Sequence, residues 1–189
     1  MSEAALETGR LEVGALAPDF VAKTVDGVEV KLDDFRGKPL WLAFFRYAMC
    51  PLCNFRIHQL IQVWPEKFEN RGITMLGVFQ SPPHKLEGLV ERHSPPFSVV
   101  ANPQMELYQL YRVEKKWGGA FGADTRAALR GASGAGIPLI KAWDGPPNRV
   151  PADFLIGSDG TIHNAFYGEN IAQHIPFEQV EDFLTAEGR

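Results

Sequence analysis

Short runs of alternating apolar and polar residues open this chain, and longer apolar blocks follow. In "PDFVAKTVDGVEVKL" (18–32), two alternating runs flank Asp26-Gly27, a pair suited to a tight hairpin turn. "DDFRGK" (33–38) reads as a turn or a single helical turn. "PLWLAFFRY" (39–47) is almost continuously apolar, which predicts a strand buried on both faces. Over 51–69, Leu52, Leu60, Trp64 and Phe68 recur at multiples of four, with Phe55 and Ile61 widening the stripe, so a helix is expected. Pro51 suits the first helical position, whereas Pro65 predicts a kink or break near Val63–Trp64. "ITMLGVF" (73–79) reads as a second buried strand, 82–93 as a helix, 97–100 as a short strand and 104–113 as a short helix.

Residues 114–148 break the pattern. They are rich in glycine, carry Lys115, Lys116, Arg126, Arg130 and Lys141, and show a helical pattern only in "ADTRAALR" (123–130). This predicts a long surface insertion, either a recognition segment or a plain decorated crossover. Regular patterning returns with a strand at 152–157, a turn at Ser158-Asp159-Gly160 and a strand at 161–167. A last helix starts at Pro176, with Phe177, Val180, Phe183 and Leu184 on one face. Alternating buried strands and helices, ending in a hairpin and a helix, argue for an α/β fold with a mixed central sheet. Residues 1–13 read as a flexible arm and 14–189 as one domain interrupted by the insertion.

Composition narrows the function classes. The 189 residues are 45% hydrophobic and 22% charged, an ordinary globular balance. A net charge of −4 gives no general pull toward nucleic acid or an anionic membrane. The polar start "MSEAALETGR" lacks a signal-peptide core, and no apolar run approaches the roughly 20 residues of a membrane span. The expected location is therefore the cytoplasm, where structural disulfides are rare.

That location bears on the only two cysteines, Cys50 and Cys53, in "FFRYAMCPLCNFRI" (44–57). Cys50 falls where an apolar strand ends and Pro51 starts a helix. A side chain there meets unsatisfied backbone N–H groups and the positive end of the helix dipole, which favours thiolate over thiol. Cys53 lies one turn on, on the same face, so Cys50 is expected to attack and Cys53 to resolve. Arg46 and Arg56 are candidates for added positive potential, or else solvated surface charges. A structural zinc site lacks ligands, because no further cysteine exists and His58, His84, His93, His163 and His174 form no closely spaced pair. Two buried, inert cysteines are the bland alternative. C-x-x-C beside a β–α–β pattern favours redox chemistry.

The segments "APDF", "DGVEVKLDDFRGKPLWLAFF", "CPLC", "FSVVANPQMELYQLYRV" and "VPADFLIGSDGTI" together resemble the redoxin, or AhpC/TSA-type, branch of the thioredoxin fold, and most of all its peroxiredoxin-like members carrying C-x-x-C. The resemblance runs from about Gly14 to the last helix. It implies a thioredoxin-like sheet flanked by helices, with an N-terminal hairpin extension. In that fold a cis-proline at a strand start packs against the dithiol, and Pro151 is its candidate: Val150–Pro151 is either that cis bond or an ordinary trans proline at a strand start. Two departures concern substrate. In the register that matches Cys50 to the family's peroxidatic cysteine, Ala43 and Tyr47 replace the proline and the Thr/Ser that peroxiredoxins use. Pro151 also falls where the family's peroxide-binding arginine belongs, with Arg149 two residues earlier. Asp153, just past the proline, is a candidate proton acceptor for Cys53 or else a strand-edge residue.

The resemblance implies a thiol–disulfide oxidoreductase acting on a disulfide-bearing protein, with Tyr47 tilting the reading away from peroxide. The alternatives are a thiol peroxidase acting on a hydroperoxide through a Cys50–Cys53 disulfide, and a non-catalytic binding module. An arginine beside Cys50 would reopen the peroxidase reading. Electrons would come from a thioredoxin- or glutathione-type reductant, and no metal or organic cofactor is called for. Dimers are common in the family, although no interface stripe stands out in this chain.

Overall fold

A computed structural model describes residues 9–115, 123–139 and 148–189. The hairpin forms around Asp26-Gly27, with β1 (Val21–Lys23) antiparallel to β2 (Glu29–Lys31). Gly27 sits at φ +89°, which its missing Cβ permits. A 3-10 turn over Leu32–Phe35 leads into β3 (Leu40–Phe44). Then come α1 (Pro51–Lys67), β4 (Thr74–Phe79), α2 (Pro83–His93), β5 (Ser98–Ala101) and α3 (Glu106–Leu110). The rest is α4 (Ala123–Gly134), β6 (Ala152–Ile156), β7 (Ile162–Tyr167) and α5 (Phe177–Ala186).

The main sheet has the order β5-β4-β3-β6-β7, with β3, β4 and β5 parallel and β6 and β7 antiparallel to their neighbours. β3 is central and buried on both faces, as its apolar run predicts. Trp41, Ala43 and Phe45 face a core shared with α1, α2 and α5. Leu40, Leu42 and Phe44 face a second core with Tyr108, Tyr111 and Phe154. Gly77 in β4 leaves room for stacked rings: a Cβ there would lie 2.9 Å from Phe97 and 3.3 Å from Phe45, and Phe45 stacks on Phe79 at 4.7 Å.

Several expectations change. α1 does not break at Pro65; it runs on to Lys67, and Phe68 N still donates to the Trp64 carbonyl at 3.0 Å. Only the last turn is affected, and the buried rings of Trp64 and Phe68, packed with Trp41, hold it in place. The Val150–Pro151 bond is trans, so the cis-proline candidate gives way to the ordinary strand-start proline. Arg149 already forms an antiparallel bridge with Lys115, so the chain enters β6 extended and the intrinsically favoured trans bond suffices. The helix within the insertion is longer than the 123–130 pattern, and it packs on α1: a Cβ on Gly131 would meet the Phe55 ring at 2.4 Å. The parts of the insertion at 116–122 and 140–147, with Lys116 and Lys141, lie outside the described residues. The N-terminal arm is tied down from Gly9 on: its carbonyl accepts from Arg112, Arg10 pairs with Glu114 at 2.8 Å, and Leu11 N donates to Tyr167 Oη. No described helix is long and apolar enough to cross a membrane.

Candidate active site

The end of β3 delivers the chain to the start of α1, and Cys50 is the N-cap. Its Sγ accepts from Cys53 N at 3.4 Å, which satisfies one of the orphan donors of the first helical turn. Arg46 N donates to Cys53 Sγ at 3.3 Å, and Arg46 Nη1 donates to Cys50 Sγ at 3.4 Å. One residue therefore touches both sulfurs, the first through its guanidinium and the second through its backbone. Both cysteines are free thiols, and Cys50 and Cys53 are only 0% and 2% exposed.

The electrostatics separate the pair. Burial pushes the Cys50 thiol up. The hydrogen bond from the Cys53 thiol, the Arg46 charge and the backbone N–H groups of Cys53 and Leu52 outweigh it and bring Cys50 down to about 7. Burial pushes Cys53 well above its ordinary value, and the neighbouring Cys50 adds to the rise. The first sulfur is thus poised as thiolate while the second keeps its proton.

Tyr47 contributes a ring beneath the Arg46 guanidinium, 5.0 Å from its centroid, and a carbonyl that accepts from Cys50 N. Arg149 goes elsewhere: Nη1 donates to the Val113 carbonyl at 2.6 Å, and the guanidinium lies over the Tyr108 ring. Pro151 is buried and its carbonyl accepts from Gly168 N. Asp153 is fully buried inside β6 rather than at a strand edge. Its oxygens accept from Trp41 Nε1, His174 Nδ1 and Ile175 N, each at 3.0 Å, and none of these bonds goes to Cys53. Burial pushes the Asp153 carboxyl up, but His174, Arg56 and the Ile175 N–H hold it below the ordinary carboxylate range. Burial lowers His174 in turn, so the imidazole is neutral near pH 7. Arg56 joins this network rather than the cysteines, donating to the Ile175 carbonyl at 2.6 Å over the Phe177 ring.

Sequence reading missed the groups that shape the loop. Asn54 Nδ2 donates to the carbonyls of Ala48 and Cys50, and its Oδ1 meets His93 at 2.9 Å. Ser81 Oγ accepts from Ala48 N at 2.8 Å. The one available signal was a polar residue placed directly after a buried run: Asn54 after Cys53, and Gln80-Ser81 after β4. Among the described residues no cluster of side chains could hold a metal ion.

A mixed five-stranded sheet of this order, with a thiolate-forming dithiol at the first turn of the helix that follows its central strand, defines a thiol oxidoreductase of the thioredoxin-like fold. The AhpC/TSA family model matches residues 13–165, and the chain belongs to that family. It is similar to Peroxiredoxin Bcp of Escherichia coli K12, 26% identical over 164 residues, covering 87% of this chain and 90% of the relative. It is also similar to the thiol-disulfide oxidoreductase ResA of Geobacillus thermodenitrificans, 30% identical over 108 residues, covering 57% and 61%. Among solved structures, the peroxidoxin BcpB of Mycobacterium tuberculosis superposes with a TM-score of 0.68 at 14% identity, covering 94% of this chain and 98% of that one; this likeness supports the fold.

Proposed function

We propose that the protein reduces hydroperoxides, with Cys50 as the attacking thiolate and Cys53 as the resolving thiol. The observation that carries this reading is Arg46 Nη1 at 3.4 Å from the Sγ of a fully buried Cys50. The guanidinium supplies the positive charge that the thiolate and a departing oxygen both need, beside Tyr47, which stands in place of the family's Thr/Ser. Burial favours a small oxidant, since a protein disulfide reaches this sulfur only if the strand end opens. The Cys50 thiolate attacks the terminal oxygen: an S–O bond forms, the O–O bond breaks, and the departing alkoxide takes a proton. Cys53 then attacks the sulfenic acid, an S–S bond forms and water leaves. A thioredoxin- or glutathione-type thiol returns two electrons and two protons. A reducing compartment such as the cytoplasm suits this cycle.

Reduction of protein disulfides is the second reading. The favouring observation is the opposed acidity of two sulfurs one helical turn apart, which suits release of a mixed disulfide by Cys53. Two assays, one on the wild-type protein and one on a variant, separate them. The first is the second-order rate constant with hydrogen peroxide, and the second is capture of protein partners by the Cys53→Ser variant. A peroxide rate constant no better than that of free cysteine, together with captured mixed disulfides, transfers the assignment to the second reading.

A further inference from the structure

Among the described residues, Gln80 is a buried amide left bare on both of its polar atoms. It is 3% exposed, and neither its Nε2 nor its Oε1 has a hydrogen-bond partner among the described residues. Buried carboxamides are almost always satisfied, and one left bare on both atoms calls for a reason. Its location supplies one. The parallel register of β3 and β4 pairs Phe44 with Val78, and one step beyond the strand ends Gln80 N donates to the Arg46 carbonyl at 2.9 Å. Gln80 is therefore the β4-side neighbour of the residue whose guanidinium contacts Cys50. Its own neighbour Ser81 turns the other way, holding the Ala48 N–H of the loop that carries Cys50. Alternation along the chain sends Gln80 to the face opposite Ser81, which in the continued parallel register is the face of Arg46, whose guanidinium reaches round the strand end to Cys50. The bare amide thus lies at the sheet end that positions the reactive sulfur.

A carboxamide offers one face with a donor and an acceptor. A hydroperoxide, R–O–O–H, needs both: an acceptor for its O–H, and a donor for the oxygen that gathers charge as the O–O bond breaks. We propose that Gln80 is a substrate-binding and catalytic residue, its Oε1 accepting from the hydroperoxide O–H and its Nε2 donating to the departing oxygen, opposite Arg46. The inference rests on the hydroperoxide reading above. It replaces the absent Thr/Ser hydroxyl with an amide from a different strand. Electrons and atoms balance as in the cycle already given: Cys50 sulfur is oxidised to the sulfenic acid, the peroxide is reduced to alcohol or water, and the leaving oxygen takes its proton from solvent.

The test uses the full chain as Gln80→Met and Gln80→Leu, which keep the volume and remove both polar atoms. Thermal unfolding establishes that at least one variant is folded. Rates are then measured with hydrogen peroxide and, separately, with iodoacetamide, a small alkylating probe of the buried Cys50 thiolate that has no O–O bond to break. Removing a preorganised donor to a developing oxyanion typically costs about 10²-fold or more, so the peroxide rate constant is expected to fall by that order. The iodoacetamide rate should stay within about twofold of wild type, and the pH midpoint of Cys50 alkylation should not move. An unchanged peroxide rate in a folded variant overturns the inference while leaving the hydroperoxide reading intact. A parallel fall in both rates also overturns it, since the amide would then act by holding Arg46 or Cys50 in place. A wild-type protein that reduces no peroxide removes the hydroperoxide reading itself.

Discussion

At the scale of single residues, Arg46 decides the chemistry. Its guanidinium helps to carry the Cys50 thiol below its free value, against the opposing effect of complete burial. Removing that charge while keeping the stem, as in Arg46→Met, is expected to move the Cys50 alkylation midpoint upward from about 7. A pH titration of iodoacetamide reactivity reads this directly, and a midpoint that stays put would mean that the Cys53 hydrogen bond and the helix N-terminus hold the thiol down without Arg46. Cys50 could be read from the sequence as the reactive sulfur because strand end, proline and cysteine are contiguous there. Arg46 stood out as a nearby cation, but which of Arg46, Arg56 and Arg149 reaches the sulfur depends on where β6 and the segment before α5 come to rest. Arg56 is drawn to the Ile175 carbonyl and the Phe177 ring, and Arg149 to the Val113 carbonyl.

At the scale of elements, packing explains both the agreements and the surprises. β3 was legible because a strand buried on both faces needs an unbroken apolar run. The length of α4 was not, since its pattern weakens at Gly131, which the close approach of the Phe55 ring requires to be small. The run through Pro65 was equally hidden, because the rings that pack on Trp64 and Phe68 from outside the helix include Phe97 and the β3 residue Trp41, which the local sequence does not contain. The stacked rings over β4 give a prediction at this scale. Gly77→Val is expected to destabilise the fold by about 1–3 kcal/mol through overpacking against Phe45 and Phe97, measured by urea denaturation. Phe45 immediately precedes Arg46, so the same variant is expected to lower peroxide reactivity as well.

At the scale of the whole molecule, the Asp153–His174 pair joins β6 to the segment before α5, with Arg56 from α1 beside it. Its burial gives stability a definite pH dependence. His174 is lowered, so below about pH 6.5 the unfolded chain takes up a proton that the folded chain resists, and stability falls. Asp153 is lowered as well: its contribution is present above the ordinary carboxylate value of about 3.9 and is lost as pH falls through its folded value. Urea midpoints measured from pH 8 downward should therefore begin to drop near pH 6.5, and His174→Gln should remove that first decline. Asp153→Asn, which removes the charge that accepts from Trp41, His174 and Ile175, is expected to cost about 1–3 kcal/mol at pH 7. This network was not legible in the sequence, because its members come from residues 41, 56, 153 and 174 and only the sheet order brings them together.

The most direct test of the account is a single turnover of the reduced protein with one equivalent of hydrogen peroxide, followed by intact mass and thiol titration. The account predicts loss of both thiols, a product lighter by two hydrogens, and a rate constant far above that of free cysteine. Cys50→Ser should abolish the reaction, and Cys53→Ser should stop at a sulfenic acid on Cys50. Retention of both thiols in the wild-type protein, or an undiminished rate in Cys50→Ser, would contradict it.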